Sequence, residues 1–214
     1  MPPGESRLWT TKRKIMGNVL PLVLSSPPLV MAVKSFATEG PSTATLLWTA
    51  AFPVSAWVMA CLTALVGNGR IKREMGRRLH MERPFDLTEK YFVGFARPTY
   101  RSALDPHEDV GFLILHEDRI EFWGAERRVS LTKDEVAGVR FRPNTHTLVG
   151  LGRWISVEAV VDEKPVRLLI EPREKRTLLG NLLFSKRLLE KLREWKGEEP
   201  QAEAQGSNES SSEA

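Results

Sequence analysis

Two textures divide the chain. Before Gly69 the apolar residues run together; after Tyr91 they alternate with polar ones. Thirty consecutive residues, Gly40 to Gly69, carry no charge. The densest part, Thr43 to Val66, predicts a helix of about 36 Å at roughly 1.5 Å per residue. That exceeds a hydrocarbon core of about 30 Å. A helix on a soluble surface keeps a charged face, so a membrane-spanning helix is expected over 43–67. Pro53 is tolerated in such a helix, and Trp48 lies near enough to its end to sit at headgroup level. A second uncharged run, Ile15 to Val33, contains Pro27-Pro28. Three readings of it stay open. One is a first spanning helix, bent near the prolines. Another is a signal peptide, with Lys12, Arg13 and Lys14 as its basic region and Ser35-Phe36-Ala37 before the cut. The third is an interfacial segment. The spanning reading is preferred because the run is longer than a signal core.

Charge sets the orientation. Arg7, Lys12, Arg13 and Lys14 precede the first run, and Arg70, Lys72, Arg73, Arg77 and Arg78 follow the second. Between the runs only Lys34 stands, opposed by Glu39. Basic flanks stay cytoplasmic, so both ends face the cytoplasm. The expectation is an integral protein of the bacterial inner (plasma) membrane with its C-terminal domain cytoplasmic. The five basic residues after Gly69 form a membrane flank for anionic lipids. The net charge of +4 is concentrated there, with no basic stripe for nucleic acid. Cys61 has no second cysteine to pair with and reads as a small apolar filler in the bilayer.

The chain is expected to divide into a cytoplasmic N-terminus (1–14), a membrane region (15–69) and a basic juxtamembrane linker (70–90). A cytoplasmic domain (91–196) and a disordered acidic tail (197–214) follow. The linker is expected to continue as a helix as far as Pro84. In the domain, strands are predicted at Tyr91–Phe95, Gly111–His116, Asp118–Trp123, Arg128–Leu131, Val136–Arg142, Trp154–Val161 and Val166–Ile170, the second from its apolar density, the last three from their period-two alternation, and all from the intervening turns. The chain then becomes helical, with Pro172 as a first-turn proline. Gly180-Asn181 is a weak point, and Ser185 is a cap if the helix restarts. Leu188, Leu189, Leu192 and Trp195 recur at helical spacing. The fold class is α+β, a transmembrane helical hairpin followed by an antiparallel β domain.

Seven short strands and a closing amphipathic helix, with GFLILHEDRIEFWG, VAGVRFR and VRLLIEPREKRTLLG as successive elements, resemble the bacterial pleckstrin-homology-like (GRAM-like) domains. The resemblance implies an antiparallel barrel or sandwich capped by the helix. It also implies a domain that usually binds lipids, peptides or proteins and is rarely an enzyme, so no enzymatic activity is expected. The phosphoinositide-binding members carry a basic signature in their first hairpin, whereas this chain has His116-Glu117-Asp118-Arg119.

No nucleophile stands beside a recognisable base, and no cofactor or metal is expected. His107-Glu108-Asp109 and His116-Glu117-Asp118 read as polar turns at the two ends of one strand. Asp109 and His116 would lie about 23 Å apart along it, too far to share a metal. The weak candidates for a lipid or partner contact are Arg140 and Arg142, on the polar side of their strand, and His146 and Arg153, in the longest interruption between strands. Gly150 and Gly152 permit a sharp turn there. Trp123 and Trp154 read as packing residues. Ala56, Ala60 and Ala64 repeat every fourth position and would let another helix approach closely. Two functions follow. One is a membrane-anchored interaction module for a protein segment or lipid headgroup. The other is a structural subunit assembled through its helices, by self-association or with a membrane-protein partner.

Overall fold

The computed structural model describes residues 9–84, 88–100 and 106–198, and only the backbone of Thr11, Arg13, Lys14, Thr145 and His146. All of the acidic tail except Gly197 and Glu198 lies outside the described residues.

Four helices come first: α1 (Thr11–Leu24), α2 (Ser26–Glu39), α3 (Thr43–Thr63) and α4 (Asn68–Glu82). The upstream apolar run is two helices, bent by 45° at Ser25. Pro27 and Pro28 fall in the first turn of α2, where a missing N–H breaks no helical bond. They start a new helix and do not kink a continuous one. The Ser25 hydroxyl donates to the Leu22 carbonyl at 2.9 Å. The chain reverses at Gly40, with φ 67°. The Thr45 hydroxyl bridges this turn, with Gly40 O and Ser35 Oγ each 3.0 Å away. Ser42 caps α3 by accepting from Thr45 N.

The helical run from Thr43 is long and apolar enough to cross a membrane, with 11% of its apolar window buried. The bent pair α1–α2 makes a second such span if counted as one.

Seven antiparallel strands follow: β1 (Glu89–Ala96), β2 (Asp109–Leu115), β3 (Arg119–Gly124), β4 (Arg128–Thr132), β5 (Val136–Arg142), β6 (Trp154–Val161) and β7 (Lys164–Pro172). Their order in the sheet is β4-β3-β2-β1-β7-β6-β5. The edge strands β4 and β5 are joined by Lys133-Asp134-Glu135 alone. The sheet must therefore curl until its edges meet at that corner. It does not close into the expected barrel, because β4 and β5 form no ladder. Helix α5 (Leu178–Lys196) covers the opening instead. Trp195 Nε1 donates to His116 O at 2.6 Å, Lys196 Nζ to Lys133 O at 2.9 Å and Arg193 Nε to Val139 O at 3.3 Å. Leu188, Leu189 and Leu192 complete a core with the inward residues of all seven strands.

The outer face of β1, β2 and β3 is also apolar. Phe92, Val110, Phe112, Ile114 and Trp123 pack there against Ile71, Met75 and Leu79 of α4. These three recur every fourth residue, so one helical stripe meets the sheet. Gly111 and Gly124 face each other across β2 and β3. A Cβ on Gly111 would lie 2.2 Å from Trp123 O, so this close approach requires glycine.

The start of the last helix differs from the sequence reading. Pro172 ends β7, opposite Val93, and Thr177 caps α5 by accepting from Gly180 N. Gly180-Asn181 does not break the helix. Asn181 accepts from Lys175 N and donates to Lys175 O and Thr177 O, which ties the preceding loop to the first turn.

Met75 is fully buried between α4 and the sheet. Met75→Ala is expected to destabilise by about 2–5 kcal/mol. Met81→Ala, on the same helix but 68% exposed, is expected to cost under about 0.5 kcal/mol. Chemical unfolding of the detergent-solubilised full chain, followed by tryptophan fluorescence, checks both.

Candidate anion-binding cleft

Alternation along β5 turns Val139 into the core and leaves Arg140 and Arg142 outside. Across the sheet, Glu158 of β6 stands beside Arg167 of β7 in register. The Glu158 carboxylate accepts from Arg140 Nη2 at 2.7 Å and Arg142 Nη2 at 2.8 Å, and Arg167 Nε lies 3.2 Å from it as an ion pair. Partial burial raises the carboxyl pKa, but hydrogen bonds and charge from Arg142 and Arg140 outweigh it and hold the group at about 2.

Arg142 and Arg167 border a cleft of about 400 Å³, together with Arg97, Tyr100, Asn144 and Trp154. Arg97 pairs with Glu108 at 2.8 Å, and Arg127 meets the same carboxylate at 2.7 Å. Five guanidiniums thus share two carboxylates, and three of the five, Arg97, Arg142 and Arg167, line the cleft. Asn144 Nδ2 has no hydrogen-bond partner among the described residues. Its Oδ1 accepts from Thr147 N at 2.9 Å and shapes the Thr145–Val149 turn that follows β5.

Arg153 stands apart from this group. Its guanidinium lies 3.6 Å over the Phe141 ring, and its Nε donates to Ser185 Oγ at 3.1 Å. Burial pushes its pKa down. The side chain of His146 lies outside the described residues. Of the four candidates read from sequence, the structure therefore brings together Arg140 and Arg142. It adds Glu158 and Arg167 from β6 and β7 and Arg97 from the end of β1. Period-two alternation already turned Glu158 and Arg167 outward, but only strand pairing puts them beside Arg142.

The first His-Glu-Asp triplet is not a solvated turn. His107 and Asp109 are buried. His107 Nε2 lies 2.9 Å from Glu171 Oε2, and its ring covers Gly94, where a Cβ would come within 2.0 Å. Asp109 accepts from the amides of Val110, Glu126 and Arg127 at 2.7–2.9 Å. It thereby organises the β3–β4 turn. Burial still pushes its carboxyl up, against the pull of those amides. His116, in the second triplet, lies 3.5 Å from Glu121, which Arg83 grips at 2.8 Å through each oxygen. Among the described residues no group of three or more His, Cys, Asp or Glu is placed to hold a metal ion.

Ala60 and Ala64 pack with Cys61, Leu65, Leu151 and Leu178, while Ala56 is half-buried on α3. Cys61 therefore packs against Leu151 and Leu178, which lie outside the helical hairpin. Gly17 of α1 also comes close to Ala64, whose carbonyl would lie 3.1 Å from an added Cβ. In the basic flank, Arg70 and Arg73 are exposed. Lys72 pairs with Glu174, and Arg77 and Arg78 both pair with Glu74.

No family model matches the chain, and no curated protein matches its sequence.

The depressed Glu158 pKa fixes a pH window. The folded carboxyl titrates near 2 against an ordinary value of 4.5. Its stabilisation is therefore complete above about pH 5 and is lost as pH falls toward 2. Glu158→Gln is expected to lower the melting temperature at pH 6. It also removes part of the loss that the unmodified chain suffers between pH 6 and pH 3. Thermal melts of both proteins at the two pH values measure this.

Proposed function

We propose that the chain is an integral protein of the bacterial inner membrane. Its cytoplasmic, pleckstrin-homology-like domain binds an anionic lipid headgroup, and Arg142 and Arg167 are the main contacts. The carrying observation is the ratio beside the cleft, where Arg142 and Arg167, which line it, share the single carboxylate of Glu158 with Arg140. Glu158 holds the arginines in place without neutralising them. A phosphate entering the cleft meets donors already arranged in forks, the geometry in which arginine binds such groups best.

The seven-stranded antiparallel sheet with its covering C-terminal helix supports the family resemblance. The basic headgroup site proposed here lies on β5, β6 and β7, away from the first hairpin. The mostly exposed apolar window of the α3 run supports the membrane anchor. Anchoring also raises the local concentration of headgroups, so modest affinity suffices. The activity is binding, with no chemical step assigned to any residue.

Native mass spectrometry of the full chain, with short-chain phosphatidylglycerol or phosphatidylcholine added, tests the reading. The anionic lipid is expected to be retained about tenfold better, equivalent to roughly 1.4 kcal/mol. Arg142→Ala combined with Arg167→Ala abolishes the preference. Equal retention of both lipids, or an unchanged preference in the double variant, rules out this headgroup site.

A further inference from the structure

We infer that the Thr145–Val149 turn and the first turns of α5 form a second membrane contact, inserting leucines into the cytoplasmic boundary of the bilayer. The inference rests on the reading that α3 crosses the membrane. It concerns an apolar surface separate from the arginine cleft.

Trp57 of α3 fixes the level of the turn. Its indole N–H donates to the Val149 carbonyl at 2.8 Å. Two residues further on, Leu151 packs against the last turns of α3, beside Cys61, Leu65 and Leu178. The domain therefore reaches back along α3 as far as Trp57. The part of α3 ahead of that point, residues 43–56, is about 21 Å long at roughly 1.5 Å per residue. That is too short for a hydrocarbon core of about 30 Å. If α3 spans, the bilayer must extend past Trp57, and the turn attached there lies within its boundary layer.

The side chains at that level suit such a place. Leu148 is 89% exposed and Val149 52%. On α5, Leu179 and Leu183 are exposed one turn apart, and Arg153 links the turn to this helix through Ser185. Arg187 is exposed four residues after Leu183, on the same helical stripe, and Arg176 is exposed in the loop just ahead of the Thr177 cap. Leucines bracketed by arginines match the junction between acyl chains and anionic headgroups, where the guanidiniums reach outward to phosphate. The charge favours a lipid surface over an apolar protein groove.

A fluorescent probe tests this in the full chain reconstituted in anionic vesicles. An environment-sensitive dye is attached to Leu148→Cys in a Cys61→Ala background. Val54→Cys on α3 and Asp118→Cys, near where Trp195 docks at the far end of α5, serve as references. At Leu148 the expected result is blue-shifted emission and a loss of intensity with lipids spin-labelled near the headgroup. Probes at Val54 lose intensity with lipids labelled deeper in the chain, and probes at Asp118 with neither. If Leu148 reports water while Val54 is quenched, the second contact is overturned and the anchor stands. A blue shift at Leu148 without lipid quenching means that a second copy or another protein covers the turn, and also overturns it. If Val54 is not quenched, the anchor reading fails and this inference fails with it.

Discussion

The antiparallel pairing of β1 with β7 covers only four residue pairs, from Val93–Pro172 to Ala96–Leu169. The sheet nevertheless depends on it. Strands β2, β3 and β4 extend from one side of this seam, and β6 and β5 from the other. Without it the domain would be two separate meanders, each with an uncovered apolar face. The seam is reinforced beyond the ladder. Arg173 N donates to Phe92 O at 2.8 Å, and Glu174 accepts from Phe92 N at 3.0 Å. His107 Nε2 lies 2.9 Å from Glu171 Oε2 across it. Buried polar groups at such a joint hold geometry as well as energy, since a shift would leave each without its partner.

The same seam holds the helices. Glu174 also pairs with Lys72, and Asn68 Nδ2 donates to Arg173 O at 2.6 Å, so the start of α4 is fixed to the end of β7. From there α4 lies on the outer face of β1–β3 while α5 covers the inner face. A curled sheet with two apolar faces needs both covers. One consequence is that the helix expected in the basic run 70–83 is more than a linker, since its apolar stripe packs on the sheet. Another is that α3, joined to α4 by residues 64–67, leaves the domain in a set direction. The positions of the arginine cleft and the Thr145–Val149 turn along α3 follow from that direction.

Much of this was legible in the chain itself. All seven strands fall close to where they were expected: β5, β6 and β7 by alternation, since one of their faces is packed and the other is not, and β2 by its run of apolar residues, since both of its faces are covered. The long apolar helix, its basic flank and the leucine stripe of α5 follow from equally local patterns. The candidate cleft was legible by half. Arg140 and Arg142 were visible as the polar side of a strand, but nothing near them in sequence pointed to Glu158 or Arg167. Arg153 had the same kind of signal and a different fate, drawn against Phe141 and Ser185.

The sequence by itself determined which faces of the alternating strands turn inward, which stretch is long, apolar and uncharged, and about where each strand lies. These depend on neighbours within a few positions. Tertiary structure decided that His107 is buried against Glu171, that Cys61 meets the domain, and that α5 covers the opening between β4 and β5. It also decided that Val149 sits beside Trp57, at a hydrogen bond spanning 92 positions. Each of these depends on a contact whose partner is distant in the chain. Periodicity says which face a side chain occupies, but only the curl of the sheet and the seat of the helices say what it meets there.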